Sequence, residues 1–192
     1  MAYRGDRGCR PRTLFHPLNA YDDGDTIVLE VVRHAKMFER EPHGPTEGAP
    51  ALARWTVDLA AGKVREEDLD DRPQEFPRVD ERLVGRRHRY GYALGLAGRG
   101  ATPSDTILKH DLVRGTTTTR SFGKGREAGE FVLEPNEPGA AEDDGALMGF
   151  VYDAATGRSD LMLLDAGSLE TVASIHLPVR VPHGFHGNWV PA

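Results

Sequence analysis

The sequence has little of what a membrane-spanning, secreted or nucleic-acid-binding protein needs. Its single cysteine, Cys9, cannot form an internal disulfide, which fits a reducing compartment. No apolar run approaches the roughly 18 residues that span a bilayer, and residues 1–10 lack the apolar core of a signal peptide. Lys and Arg (24) are fewer than Asp and Glu (30), so the net charge is −6. Because phosphate binding needs clustered Lys and Arg, we expect no nucleic-acid partner. The single cysteine and the absence of a signal peptide favour a cytoplasmic protein.

Turn-forming residues are abundant by contrast, with 22 glycines and 13 prolines among 192 residues. A chain with so many turns is predicted to consist of short strands. Residues 26–32 and 171–177 agree, since their apolar side chains alternate and therefore share one face of a strand. No long stripe with a helical period is present. The charge-rich residues 65–82 are predicted to form an exposed excursion between strands.

Three segments share one local pattern, an apolar strand followed by Asp, three further residues and Gly. The pairs are Asp58–Gly62, Asp111–Gly115 and Asp153–Gly157. An Asp carboxylate accepts hydrogen bonds from the turn backbone, and Gly takes the positive φ that closes the turn. The Asp positions lie 53 and 42 residues apart, close to one four-stranded blade of a β-propeller. Three ordinary hairpins in another antiparallel sheet are the alternative.

Two of the eight histidines stand in unusual settings. His16 follows Phe15 and His186 follows Phe185, so each imidazole is expected beside an apolar wall. A neutral imidazole in such a place suits a borderline transition metal. Read alone, either segment is better explained as a turn with a buried histidine. Only the pairing of the two favours a metal site.

Two carboxylates could orient such ligands. Glu75 stands in the run Gln-Glu-Phe-Pro-Arg, and Glu142 begins an acidic Glu-Asp-Asp-Gly run before an apolar strand. A solvated acidic turn is the plain explanation of the second run. The functional interpretation is a buried Glu that accepts the Nδ1–H of a ligating histidine and so fixes its tautomer.

Six motifs together resemble the C-terminal part of the carotenoid cleavage oxygenases, a family that includes apocarotenoid and lignostilbene dioxygenases. They occur in the family's order between about residues 13 and 190. Each is weak alone. The matching runs are Phe15–Asp23, Glu75–Arg78, Arg89–Ala93, Lys109–Leu112, Glu142–Gly145 and Pro182–Gly187.

The resemblance implies a seven-bladed β-propeller whose axis holds Fe(II) on four histidines, three of them braced by Glu. By motif, His16 and His186 match two of the ligands, and Glu75 and Glu142 match two of the bracing carboxylates. His183 and His110 match no ligand position. The fold class is therefore expected to be all-β, a partial propeller of roughly three to four antiparallel four-stranded blades.

The chain also departs from the family. The family enzymes are more than twice as long, and the blades with the other two histidines and the third Glu have no counterpart here. Residues 1–13, rich in Arg and Gly, form an atypical N-terminal segment, whereas residues 14–192 match the C-terminal part of the propeller. We expect a truncated or mis-started reading frame. A natural half-propeller is the less favoured alternative, because it would leave exposed strand edges and an unclosed ring.

The implied function is that of a non-haem Fe(II) dioxygenase, which uses O₂ to cleave a carbon–carbon double bond of a carotenoid, apocarotenoid or stilbene-like molecule. Peripheral membrane contact for substrate uptake is expected of the intact enzyme. The alternative is a truncated, non-catalytic propeller fragment that cannot hold iron alone. An interaction module is disfavoured, because binding a partner at the surface requires no such set of His and Glu motifs.

Overall fold

The computed structural model describes residues 13–40, 42, 47–97 and 102–190, so Cys9 and nearly all of the segment 1–13 lie outside it. The described residues form three antiparallel four-stranded sheets. The strands of the first sheet are β1 (Thr13–Asp23), β2 (Thr26–His34), β3 (Ala51–Asp58) and β4 (Lys63–Asp70). Those of the second are β5 (Gln74–Arg78), β6 (Tyr90–Ala97), β7 (Thr102–Asp111) and β8 (Thr116–Ser121). Those of the third are β9 (Arg126–Pro135), β10 (Gly145–Asp153), β11 (Arg158–Asp165) and β12 (Thr171–His176).

Each sheet is a simple meander, in which strands that are consecutive in sequence pair with each other. The first strand of the second sheet, β5, contacts the first strands of the two other sheets, β1 and β9. The sheets therefore share one inner side, as the blades of a propeller do. This arrangement confirms the predicted all-β class and gives three blades. No described helix is long and apolar enough to cross a membrane.

The predicted Asp-to-Gly turns are present and use the expected contacts. Asp58 Oδ1 accepts the N–H of Ala61 at 2.7 Å, and Asp153 Oδ1 accepts that of Ala155 at 2.8 Å. The closing glycines at positions 62, 115 and 157 have φ of 62°, 65° and 65°. The first two turns join the third and fourth strands of their sheets, but the one at Asp153 joins the second and third.

The equivalent turn of the third sheet is hidden in the sequence, because a leucine stands where the other copies have glycine. Asp165 Oδ1 accepts the N–H of Ser168 at 2.7 Å, and Leu169 closes the turn with a φ of 64°. Asp165 lies 54 residues after Asp111, which itself lies 53 after Asp58. The blade period is therefore about 53 residues, and the spacing of 42 does not measure it.

Two apolar cores hold the blades together. The larger lies between the second and third sheets and includes Leu94, Ile107, Phe131, Leu147 and Leu164. The smaller, between the first and second sheets, contains Leu18, Leu52 and Val79. Burial of these side chains against neighbouring sheets fixes how the inner strands sit next to one another.

The predicted exposed excursion at residues 65–82 is wrong. It contains most of β4, an outer strand whose charged side chains face solvent, and all of β5, an inner strand. Gln74 and Glu75 are buried on β5. Their polar side chains bind partners inside the protein. A count of charged residues cannot distinguish such buried polar residues from exposed ones.

Candidate functional site

The site lies on the inner side of the three sheets. β1 carries His16, β5 carries Glu75 and β9 carries Glu130, while His186 lies in an extended stretch after β12. This stretch, residues 177–190, is called the C-terminal segment below. The structure thus brings together three of the four residues that the sequence predicts for a site.

Glu75 holds His16 in one orientation. The Nδ1–H of His16 donates to Glu75 Oε2 at 2.7 Å. The same oxygen accepts the backbone N–H of Phe76 at 3.0 Å, and Phe76 adopts a φ of 52°. A carboxylate oxygen can only accept a hydrogen bond, so Nδ1 carries the proton and Nε2 keeps its lone pair.

A second histidine holds the other oxygen of the same carboxylate. His34, on β2, donates from Nε2 to Glu75 Oε1 at 2.6 Å. Burial raises the pKa of Glu75, but the hydrogen bonds from His34, His16 and the Phe76 N–H outweigh it and hold the pKa below its usual range. Glu75 is therefore a buried anion between two imidazoles.

Glu130 stands beside His186 as Glu75 stands beside His16. The Nδ1–H of His186 donates to Glu130 Oε1 at 3.2 Å, and the backbone N–H of Gly187 donates to Oε2 at 2.9 Å. Arg78 Nη1 lies 3.6 Å from Oε1 and adds a positive charge. The lone pair of His186 is therefore also on Nε2.

The two unprotonated nitrogens face each other. His16 Nε2 and His186 Nε2 lie 3.2 Å apart, and their rings meet edge to face at 4.9 Å. Phe76 packs against both rings, at 5.1 and 5.7 Å. Two lone pairs at this distance repel unless a proton or a cation lies between them. The arrangement is thus a pair of nitrogen donors for a cation.

Glu142 does not take the role predicted for it. Its carboxylate accepts the backbone N–H groups of Arg89, at 2.7 and 2.9 Å, and of Tyr90, at 2.6 Å. It therefore fixes the entry to β6, and Glu130 is the carboxylate that contacts the second histidine. The acidic run at Glu142 predicted a brace, but backbone donors are its partners.

Glu130 is missing from the predicted set, although one signal points to it. Glu-Phe occurs twice, at Glu75–Phe76 and Glu130–Phe131, 55 residues apart. That distance is close to the blade period, so the two carboxylates occupy similar places on consecutive inner strands. The repeat pattern could have found Glu130, because equivalent positions of neighbouring blades point toward the same axis.

Two other histidines lie apart from this pair. His183 Nε2 bonds to Glu127 Oε2 at 2.7 Å, and His110 is buried between β5 and β8 beside Gln74 and Thr117. Within the described ranges, no three His, Cys, Asp or Glu side chains come together as a metal site of their own. The described residues therefore supply two nitrogen donors with their two carboxylate braces.

An apolar cavity of about 450 Å³ adjoins the pair, between the third sheet and the C-terminal segment. His186 and Glu130 lie at its wall. Its apolar lining includes Leu94, Val132, Met148, Phe150, Leu161 and Trp189. One of the two nitrogen donors, His186, thus borders a space that favours an apolar ligand.

Comparison with known proteins identifies the family. The family model described as retinal pigment epithelial membrane protein (RPE65) matches residues 4–191. A carotenoid cleavage oxygenase from Mycobacterium tuberculosis is 46% identical over 191 residues. The chain belongs to the carotenoid oxygenase family. The resemblance of the six motifs is thereby confirmed.

Further members agree in sequence and in structure. The apocarotenoid-15,15'-oxygenase of Synechocystis is 35% identical over 187 residues, which are 92% of this chain. The crystal structure of cobalt-substituted Synechocystis ACO superposes with a TM-score of 0.85 at 33% identity and covers 94% of this chain. The chain spans 38% of the length of these two curated relatives and 40% of that crystallised chain.

Proposed function

We propose that this chain forms part of a non-haem Fe(II)-dependent dioxygenase that cleaves a carbon–carbon double bond of a carotenoid, apocarotenoid or stilbene-like molecule. His16 and His186 are the iron ligands, and Glu75 and Glu130 orient them. The observation that carries the proposal is the pair of facing Nε2 atoms, each opposite an Nδ1 that is held by a carboxylate.

The donor set fits a transition metal. Imidazole nitrogens bind such ions at about 2.1 Å, so two of them on one ion are separated by roughly 3.0 Å at a right angle and roughly 3.4 Å at a tetrahedral angle. The observed 3.2 Å lies between these values. Carboxylates on Nδ1 are the usual partners of metal-bound histidines, because they fix the ring and raise the basicity of Nε2.

Iron supplies the one-electron and O₂ chemistry at such a site. The chain supplies the rest. Glu75 and Glu130 keep the two imidazoles in the tautomer that presents Nε2, and Phe76 packs against both rings. Neutral imidazoles leave the charge of a divalent ion uncompensated, which favours binding of an electron-rich partner.

The adjoining cavity supports an apolar substrate. Apolar side chains from β6, β9, β10 and β11 line most of it, and Trp189 of the C-terminal segment closes one wall. A conjugated polyene or a stilbene would bury its hydrocarbon surface there. O₂ is the second substrate. A cytoplasmic location and peripheral membrane contact stay predictions for the intact enzyme.

Metal titration tests the ligand assignment. We expect Co²⁺, added to the metal-free chain, to give visible absorption bands from nitrogen coordination. His16→Ala and His186→Ala should each weaken binding at least tenfold, whereas His176→Ala, which removes an exposed histidine on β12, should leave it unchanged. Equal affinity in all four proteins would contradict the assignment.

The second candidate is a propeller fragment that cannot hold iron alone, and the two-nitrogen donor set within the described residues favours it. Exchange of this chain for the matching stretch of the Mycobacterium tuberculosis oxygenase separates the candidates. The chimera should contain about one iron per chain and form cleavage product from an apocarotenoid, and His16→Ala should abolish both. If the chimera binds iron but the isolated chain does not bind Co²⁺, the fragment interpretation is correct.

A further inference from the structure

The carboxylate of Glu75 has two histidine partners, and only one of them belongs to the nitrogen pair. His34 lies on β2 with its side chain 1% exposed, and its Nε2 is 2.6 Å from Glu75 Oε1. The family motifs found in the sequence do not include His34. Its role is therefore open.

His34 can act only as a hydrogen-bond donor to Glu75. Its Nδ1 is buried and has no hydrogen-bond partner in the part of the chain that the structure describes. The Nε2–H that donates to Glu75 is therefore the one hydrogen bond of this ring among the described residues. The ring of Phe15 packs edge-on against it at 5.3 Å.

The two oxygens of Glu75 are not equally held. Oε2 accepts from the Nδ1–H of His16 and from the backbone N–H of Phe76. Oε1 accepts from His34. Without His34, one oxygen of a buried anion loses its donor, and the carboxylate can rotate about its last side-chain bond. Rotation would take Oε2 out of line with His16.

We propose that His34 is a positioning residue, which locks the Glu75 carboxylate so that His16 keeps its proton on Nδ1 and its lone pair on Nε2. The chain of contact runs from His34 through Glu75 to His16, across strands β2, β5 and β1. The consequence for metal binding rests on the proposed function, but the effect on the His16 ring does not.

Two substitutions separate the donor from the ring. His34→Phe keeps an aromatic ring of similar size and removes the donor. His34→Gln loses the ring but keeps an N–H at about the depth of Nε2. A matched control is His110→Phe, which removes another buried histidine, 3% exposed, on β7.

The first measurement is the ring-nitrogen NMR shifts of His16 in the metal-free protein at about pH 8, where a free imidazole is neutral. Wild type, His34→Gln and His110→Phe should show the Nδ1–H form, and His34→Phe a mixture of tautomers. The second is Co²⁺ affinity, which should fall about tenfold in His34→Phe and recover to within about threefold in His34→Gln. Thermal unfolding of each protein records the loss of stability separately.

The outcomes are distinct. An unchanged His16 tautomer in His34→Phe overturns the proposal, and so does the same mixture of tautomers in His110→Phe. If no protein binds Co²⁺, the proposed metal function fails, and the tautomer of His16 still decides the role of His34. Should His34→Phe not fold, His34→Asn replaces it, because its shorter amide does not reach Glu75.

Discussion

Two polar networks leave opposite sides of strand β5, from neighbouring residues. Glu75 contacts His16 and His34 on the inner side. Gln74 Oε1 lies 2.8 Å from Nε2 of His110, which is on β7 of the same sheet, on the other side of β5. Both networks are buried and both combine histidine with a carboxylate, so residue type does not distinguish them.

The networks differ in whether every ring nitrogen of the histidine contacts a side-chain oxygen, and a network in which each one does is called closed below. His110 Nδ1 lies 2.9 Å from Thr117 Oγ1, which in turn lies 2.8 Å from Asp70 Oδ2, and Arg72 Nη2 donates to the same carboxylate at 2.7 Å. Every nitrogen of His110 thus has a protein partner. His16 instead presents Nε2 to another lone pair. The two histidines thus differ in the partners of their ring nitrogens: the second nitrogen of His16 faces another imidazole, whereas both nitrogens of His110 face side-chain oxygens.

Removal of Asp70 should give the largest effect on stability. Asp70→Ala takes away the acceptor shared by Thr117 and Arg72, and we expect a loss of about 3 kcal/mol in the free energy of unfolding. Asp71, the exposed neighbour of Asp70, offers a control. Asp71→Ala should change the free energy of unfolding by less than about 0.5 kcal/mol. Urea unfolding measures both. If Asp70→Ala also abolished Co²⁺ binding in folded protein, the two sides of β5 would not be independent.

Acidification should give the second largest effect, because it lowers the stability that the His110 network contributes. Burial lowers the pKa of His110 to about 4, although Asp70 nearby opposes the shift. The unfolded chain therefore binds a proton near pH 6.5 that the folded chain accepts only at lower pH, so stability is complete above this range and falls within it. We expect a loss of about 2 kcal/mol between about pH 7 and pH 4.5 from this group.

Urea unfolding at several pH values checks the acid effect. His110→Phe should flatten the stability curve over this window. A smaller slope of the same sign should persist, because burial also lowers the pKa of His88. An identical curve in the variant would show that the closed network carries no pH dependence.

The sequence was sufficient for the architecture where local chemistry repeats. Alternating strands and abundant turns predicted an all-β chain, the family resemblance predicted roughly three to four four-stranded blades, and the structure has three. The equivalent turn of the third blade does not follow the Asp-to-Gly pattern, because Leu169 takes the left-handed φ there and is buried in the larger core. Tertiary packing offsets the local strain there, and no local pattern records that.

The site was predictable only where family motifs marked it. His16, Glu75 and His186 meet as expected, but Glu142 binds backbone N–H groups and Glu130 takes the other brace. The sequence does not predict the contact of His34 with Glu75, because the two residues are 41 positions apart and lie on different blades. Partners across sheets are set by how the inner strands pack, and a single sequence does not list those contacts.

The two histidines of the pair differ in their support and exposure, and we expect the smallest effect on stability from the contacts of the more exposed one. His16 lies on β1 with 22% of its side chain exposed, whereas His186 lies in the C-terminal segment with 53% exposed. The side chain of Asn188 ties that segment to the second blade. Its Oδ1 accepts from Arg78 Nη2 at 3.3 Å and its Nδ2 donates to Glu81 Oε1 at 3.0 Å.

Asn188→Ala should therefore alter the site without altering the fold. We expect a change below about 0.5 kcal/mol in unfolding, since both contacts are exposed. Amide exchange at Gly187, whose N–H donates to Glu130, should nevertheless become faster, because local opening needs less free energy. Asn136→Ala, which removes an exposed amide bonded to Asp144, is the control and should leave that exchange unchanged. Equal exchange at Gly187 in all three proteins would show that the brace by Glu130 alone fixes His186.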